Sequence, residues 1–268
     1  MLRESRHEDV TRLYFETRSS RAMGLNVSAY VVRDVLIDTA FPDVAGDLGR
    51  WLDDRPVRGA IVTHYHEDHA GNVGLLAARQ VPTWIAPATL SHLERPARIG
   101  RYRRLCWGTP QPLDIVPPPF EDASLCVIAT PGHSSDHHIV CDAETGTVFG
   151  ADLFLGVKVR VAHPPEREDV REQIASLRRV IALAPARYFD AHRGPVLNPL
   201  AILRSKVAWM EETVGRIDEL IAGGLSDAQI STRVLGRRDM IDYVSFDDYS
   251  RMNFVRSVRA TRKSEEKL

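Results

Sequence analysis

The stretch Ala60-Ile61-Val62-Thr63-His64-Tyr65-His66-Glu67-Asp68-His69-Ala70-Gly71 begins as an apolar strand and then places three imidazoles and the Asp68 carboxylate within six residues. Zinc takes neutral imidazole nitrogens and carboxylate oxygens, usually four in all, and a catalytic site keeps one position for water. Histidines at i and i+2 on a turning backbone can converge on one ion. Asp68 and His69, at the next turn, can face a second ion a few ångströms away. One loop thus offers ligands to both halves of a two-metal centre.

Outward from this loop, Ala29-Tyr30-Val31-Val32 and Val35-Leu36-Ile37 read, with 60–62, as strands of a largely buried sheet. Helical spacing covers 44–52, and a second helix is expected to start at Asp68-His69 and run through Val73, Leu75 and Leu76. Prolines 110, 112, 117, 118 and 119 predict a loop around a short strand. Three further strand candidates, 125–128, 138–141 and 147–149, imply a second sheet, and Tyr188-Phe189 adds a short strand after a helix marked by Val170, Ile174, Leu177 and Ile181.

Polar residues stand where these strands stop: His133 after Pro131-Gly132, Asp152 after Gly150-Ala151, and His192 after Ala191. In layered α/β folds that is where ligand-binding groups gather, since side chains there project into a cleft from a rigid support. The isolated His7, His92 and His163 read as solvated or packed residues. His137 and His138 read as strand residues, one facing in and one out.

From Leu200 to Ile221 apolar residues recur at alternating intervals of three and four, an amphipathic helix of about six turns stopped by Gly223-Gly224. It is expected to pack on the body rather than seam a coiled coil. Capping boxes at Ser226/Gln229 and, in a weaker acidic form, Ser245/Asp248 predict two more helices, and the charged tail after Arg259 is expected to fray. The organisation expected is one domain over 1–198 with a helical extension over 199–268.

Hydrophobic and charged fractions of 44% and 26% belong to a globular chain, and no run approaches the roughly 18 apolar residues that a membrane span needs. The charged N-terminus lacks a signal-peptide core, and three cysteines without a CxxC pair imply no disulfide framework. A cytoplasmic address without membrane contact follows as the expectation. A net charge of −1 gives no global field for nucleic acid. Arg95, Arg98, Arg101, Arg103 and Arg104 still form a local patch, readable as a solvated helix face or as an anion-binding rim.

The order His64-x-His66-x-Asp68-His69, then His133, Asp152 and His192, resembles the metallo-β-lactamase superfamily over residues 28 to 195, and Asp38 in Leu36-Ile37-Asp38-Thr39 resembles that family's first motif. The resemblance implies a four-layer αββα sandwich. It also implies that His64, His66 and His133 hold one zinc, that Asp68, His69 and His192 hold another, that Asp152 bridges them, and that Asp38 supports the loop from behind. Two such cations would share a hydroxide, lower its pKa and polarise a substrate oxygen, with Asp68 able to accept a proton. Iron or manganese are the alternatives to zinc.

Ala70-Gly71-Asn72 resembles hydroxyacylglutathione hydrolases, and 131–137 resembles the wider group of small-ester, thioester and lactone hydrolases. No cysteine sits near Asp152, unlike the most familiar β-lactamases. The leading expectation is therefore a small-molecule hydrolase acting on an ester, thioester or lactone, with Tyr65 as a polar contact. Lys158, Arg160 and Arg193 are expected to clasp an anionic substrate group or else to form structural salt bridges. An RNA or phosphodiester hydrolase and a one-iron enzyme resembling persulfide dioxygenases are the alternatives, and the helical extension leaves a homodimer open.

Overall fold

In the computed structural model, which describes residues 1–265 and side chains to residue 262, two mixed sheets lie face to face between helical layers. The first sheet runs in order β1 (Leu2–His7), β2 (Val10–Phe15), β3 (Val27–Val32), β4 (Val35–Ile37), β5 (Gly59–Ile61) and β6 (Thr83–Trp84). In the second, β7 (Leu125–Ala129), β8 (His138–Asp142), β9 (Thr147–Phe149), β10 (Arg187–Asp190) and β11 (Gly194–Pro195) lie in sequence order. Pairing is parallel for β4, β5 and β6 and for β9 with β10, and antiparallel elsewhere.

Strand alternation sets the layers, because successive side chains leave a strand on opposite faces. Tyr30, Val32, Ile37 and Ile61 meet Val140, Phe149 and Phe189 between the sheets. Their neighbours Ala29, Leu36 and Ala60 face the helices on the outside of the first sheet, while Ile139, Cys141, Val148 and Tyr188 face the helices on the other. At the seam Tyr30, Phe149 and Phe189 lie 5.3 to 5.4 Å apart, and the Tyr30 hydroxyl donates to the Asp190 carbonyl at 2.6 Å.

The helices are α1 (Arg18–Ala22), α2 (Ala45–Asp54), α3 (Glu67–Ala70), α4 (Val73–Ala78), α5 (Pro87–Glu94), α6 (Arg101–Trp107), α7 (Val170–Ala182), α8 (Pro199–Ala222), α9 (Asp227–Val234), α10 (Met240–Val244) and α11 (Arg251–Glu265). The single helix expected from Asp68 onward is two, α3 and α4. Asn72 separates them by donating its side-chain amide to the carbonyls of Thr39 and Phe41, at 2.7 and 2.9 Å. No strand forms around prolines 110–119; the Pro118 carbonyl instead accepts from Thr83 at the edge of β6.

Helix α8 packs against α7, α9 and α11, with Leu203, Met210 and Ile217 in their shared core. The capping box at Ser226 opens α9 as the spacing requires. The second box lies elsewhere: Asp239 and Asp242 cap α10, whereas Ser245 ends that helix and takes a hydrogen bond from Tyr249. Arg251, ion-paired to both Asp239 and Asp242, fixes which pattern forms. Helix α11 continues past Arg259 to Glu265, and the rest of the expected frayed tail lies outside the described residues. Among the described residues no helix is long and apolar enough to cross a membrane.

Candidate metal centre

Each polar group emerges from a strand end at the same rim of the sandwich. Asp38 follows β4 with a left-handed φ of 63°, and its carboxylate accepts from the Thr63 amide (2.8 Å), the Thr63 hydroxyl (3.0 Å) and His69 Nδ1 (2.8 Å). It thereby fixes where β5 ends and how the His69 ring stands. His64 and His66 follow at once, and α3 carries Asp68 and His69. The second sheet supplies His133 after β7, Asp152 after β9 and His192 after β10.

These side chains form two groups whose ligand atoms lie within 4.8 Å of one another: His64, His66, His133 and Asp152, and Asp68, His69, Asp152 and His192. His66 Nδ1 stands 3.1 Å from His64 Nε2 and 3.0 Å from His133 Nε2. One Asp152 oxygen is 3.2 Å from His133 Nε2, and the other is 3.2 Å from His69 Nε2 and 3.1 Å from His192 Nε2. Asp68 approaches His192 Nε2 at 3.5 Å.

The donor chemistry fits cations. His64 Nδ1 is bonded to the Thr63 hydroxyl, His69 Nδ1 to Asp38 and His192 Nδ1 to the Asn26 carbonyl. With their protons on those outer nitrogens, all three rings aim an Nε2 lone pair at the cluster. His69 Nε2 and one Asp152 oxygen are buried there without a hydrogen-bond partner. Hydrogen bonds alone leave several acceptors facing each other; a divalent ion in each group would satisfy them.

Charge follows closeness to Asp152 rather than the two groups: burial opposes a proton on His133, but the hydrogen bond to Asp152 and its charge outweigh this and raise it. Burial, and then the other imidazoles or Arg103, hold His64 and His66 well below the usual histidine range. Burial also works against the proton on His192, but Asp152 beside it outweighs this and lifts it to about 9. Asp152, Asp38 and Asp68 likewise override burial at His69. A cation bound here would compete with those protons.

Supporting residues include Asp136 and Asp190, which the sequence did not single out, and His137, which reads as a strand residue but stands just before β8. Asp136 accepts from the Tyr65 amide (2.9 Å), the Thr89 hydroxyl (2.7 Å) and the Ser134 hydroxyl (2.6 Å), joining the two loops that carry His66 and His133. His137 is fully buried, bonded to the Thr130 hydroxyl through Nδ1, and accepts from the Asp152 amide at 3.2 Å. Asp190 accepts the amides of His192, Arg193 and Leu155 at 2.7 to 2.9 Å. In each case the signal available was only an Asp or His within four residues of a motif ligand.

Gly132 lets His133 reach the cluster. Its φ is 136°, and a Cβ would stand 2.3 Å from the Gln173 amide nitrogen of α7. Backbone strain and overpacking together should make Gly132→Ala cost about 2 to 4 kcal/mol in urea unfolding. A loss under about 1 kcal/mol would show that α7 yields easily.

A cavity of about 540 Å³ opens over the cluster, bordered by Asp68, His133, Asp152 and His192. Lys158, Arg160 and Arg193 line it, and among the described residues none forms an ion pair. Structural salt bridges, the other expectation for these cations, are therefore absent among the described residues. The opposite wall comes from the C-terminal part: Ile241, Tyr249 and the paired Asp239 and Arg251.

Three expectations shift. Tyr65 does not line this cavity; its ring stacks on His92 at 4.2 Å and borders a separate cavity of about 70 Å³. His163, read as isolated, lines the main cavity with its ring centroid 5.6 Å from that of His66 and Nδ1 bonded to the Asp248 carbonyl. The arginine patch is not one solvated face. Arg103 is buried and makes two 2.6 Å bonds to buried Glu67, while Arg95, Arg98 and Arg101 are exposed.

Under the loop after Asp152, the buried Lys206 ammonium of α8 donates to the carbonyls of Phe154 (2.7 Å) and Gly156 (3.1 Å). Burial lowers it from the ordinary 10.5 to about 8. The unfolded chain therefore keeps this proton at pH values where the folded chain has lost it, so its contribution to stability rises with pH from about 8 toward 10. Denaturation across that range should show wild type gaining stability relative to Lys206→Met. A constant difference would contradict the shift.

A family model described as the metallo-beta-lactamase superfamily matches residues 22–192. Among curated proteins, a beta-lactamase-like protein 2 homolog of Drosophila melanogaster is 27% identical over 184 residues, 63% of this chain and 57% of its own. The thioesterase pkgB of Emericella nidulans is 29% identical over 175 residues, 63% of this chain and 46% of its own. The chain thus spans about half the length of these relatives. Among solved structures, the metallo-beta-lactamase FIM-1 from Pseudomonas aeruginosa superposes with a TM-score of 0.61 at 18% identity, covering 79% of this chain and 95% of its own. The metallo-beta-lactamase family protein TTHA1429 from Thermus thermophilus gives 0.69 at 16% identity, covering 97% and 94%. That extent takes in most of the C-terminal helices, and at these identities the likeness is one of fold.

Proposed function

The chain belongs to the metallo-β-lactamase superfamily, and on that premise we propose that it is a zinc-dependent hydrolase of small esters, thioesters or lactones that carry an anionic group. The observation that carries this reading is the pair of four-residue candidate ligand groups sharing Asp152 beneath a cavity walled by three cations that have no ion-pair partner among the described residues. Bound metal would supply an activated water and polarise the substrate carbonyl. His64, His66 and His133 would hold one ion, Asp68, His69 and His192 the other, with Asp152 common to both.

The chain's own residues would do the remaining work. Asp38, Thr63 and the Asn26 carbonyl hold the rings in one tautomer, so that binding needs no reorientation. Asp68, 3.8 Å from His69 Nε2 and 3.5 Å from His192 Nε2, would accept a proton at its carboxylate oxygen. Lys158, Arg160 and Arg193 would orient an anionic arm, and the apolar Leu25, Trp107 and Val161 would cover the acyl portion and exclude water. The thioesterase among the relatives favours a thioester within this class.

The test is metal analysis followed by turnover of matched anionic and neutral thioesters, lactones and aryl esters. Two zinc ions per chain and preference for the anionic members are expected; full metal loading without turnover of any of them overturns the reading. Binding and cutting of RNA, with steep salt dependence, would favour the phosphodiesterase alternative. One iron per chain would favour the oxygenase. Within the panel, Lys158→Ala or Arg160→Ala should raise KM for anionic substrates about three- to tenfold with kcat little changed, since an orienting contact of this kind is made in ground and transition state alike. Equal effects on neutral substrates would exclude the clasp.

A further inference from the structure

Away from the metal centre, Cys126 of β7 and Cys141 of β8 are partners in register on adjacent antiparallel strands. Partners in register put their side chains on the same face of the sheet, here the face toward the helices. Cys141 is 8% exposed within the core beneath α7 and α8, and Ile128, two residues along from Cys126, packs against that same core. Cys126 itself is exposed, because β7 is the last strand of its sheet. One thiol is thus open to solvent and the other is held behind it.

The ladder also fixes the spacing. The Thr130 amide donates to the His137 carbonyl at 2.8 Å, and this pair continues the register of β7 with β8. Counting back two residues at a time makes Cys126 and Cys141 a hydrogen-bonded pair, with Cα atoms about 5.5 Å apart. Disulfides accept Cα separations of about 4.4 to 6.8 Å but want the Cβ atoms closer than such a pair holds them. An edge strand can make that adjustment, and the residual strain leaves the bond easy to reduce.

We infer that Cys126 and Cys141 form a site of reversible oxidative modification, closing to a cross-strand disulfide when the protein meets hydrogen peroxide. The Cys126 thiolate attacks the peroxide, breaking the O–O bond and giving a sulfenic acid and, after protonation, water. The Cys141 sulfur then attacks the Cys126 sulfur; the S–S bond forms, the S–O bond breaks, and a second water leaves. Two electrons pass from the thiols to the peroxide, and both thiol protons end in water. Burial raises the Cys141 thiol to about 11, so its attack should be the slower step. Cys106 takes no part: it is buried beside Met23 in the other half of the molecule and serves as an internal control.

The full chain is treated with hydrogen peroxide, unfolded, alkylated without reduction and digested. The expected result is a cross-linked peptide joining the two strands, loss of both thiol hydrogens, and alkylation of Cys106 alone, all reversed by dithiothreitol. Cys126→Ser should abolish the cross-link while Cys106→Ala leaves it intact. A peroxide-treated chain in which Cys126 is oxidised further or joins a second chain, while Cys141 still takes the alkylating reagent, overturns the inference. So does a chain in which all three cysteines remain free.

Discussion

Replacing Asp152 with alanine should weaken both ligand groups of the candidate metal centre at once. Its two oxygens face different partners, His133 on one side and His69 with His192 on the other. Every other candidate ligand belongs to one group, whereas Asp152 belongs to both. Loss of groups that merely support a metal ligand costs 10- to 100-fold in affinity or activity, so removal of the shared ligand should cost more than about 100-fold in kcat/KM. Metal analysis after dialysis should find less than the wild-type content, while circular dichroism stays native. Asp152→Ala protein that keeps its full metal and activity would refute the shared role. Asp68→Ala is the natural comparison, since it should weaken one group and spare the other.

Arg103→Met should be the most destabilising single change outside the ligands, by about 3 to 5 kcal/mol in chemical denaturation. The Glu67 carboxylate is 4% exposed and accepts both 2.6 Å bonds from Arg103. Burial raises the Glu67 carboxyl and Asp68 adds to this, while Arg103 is the main opposing influence. Without the guanidinium, a buried acid is left uncompensated between Asp68 and His66. Pairing the change with Glu67→Leu removes that charge and should recover most of the loss, because the pair in isolation contributes little net stability. A double variant as unstable as Arg103→Met would mean that the arginine acts through packing alone.

The parts of this molecule legible in its sequence are those with local causes. Strand alternation at 29–32 and 60–62 separates the faces of one sheet, and the dense polar run after Val62 marks the rim where it stops. Asp38 could be placed only through its resemblance, in Leu36-Ile37-Asp38-Thr39, to the first motif of the metallo-β-lactamase superfamily. Tyr65 misleads because it stands between two candidate ligands, yet neighbours on an extended backbone point opposite ways, and its ring leaves the cluster for His92. His163 has no local signal at all; its place is set by a hydrogen bond to the Asp248 carbonyl, 85 residues distant. Arg103 belongs with Glu67 for the same reason, across 36 residues. Between two acidic capping patterns, the choice rests on Arg251, whose pairing only the folded chain reveals.

The candidate ligand set straddles the seam between the two sheets. His64, His66, Asp68 and His69 hang from the first, and His133, Asp152 and His192 from the second. A cation held by both would act as a reversible rivet through the sandwich, and each group would grip from opposite sides of the Tyr30 to Phe149 interface. The molecule's mechanical integrity would then depend on free metal concentration, gaining RT ln(1 + [M]/Kd) per site. Starved of metal, the two sheets would be held at that rim by hydrogen bonds alone, among them those that Asp136 accepts from Tyr65 and Thr89, that His138 donates to Thr63 and that His192 makes to the Asn26 carbonyl.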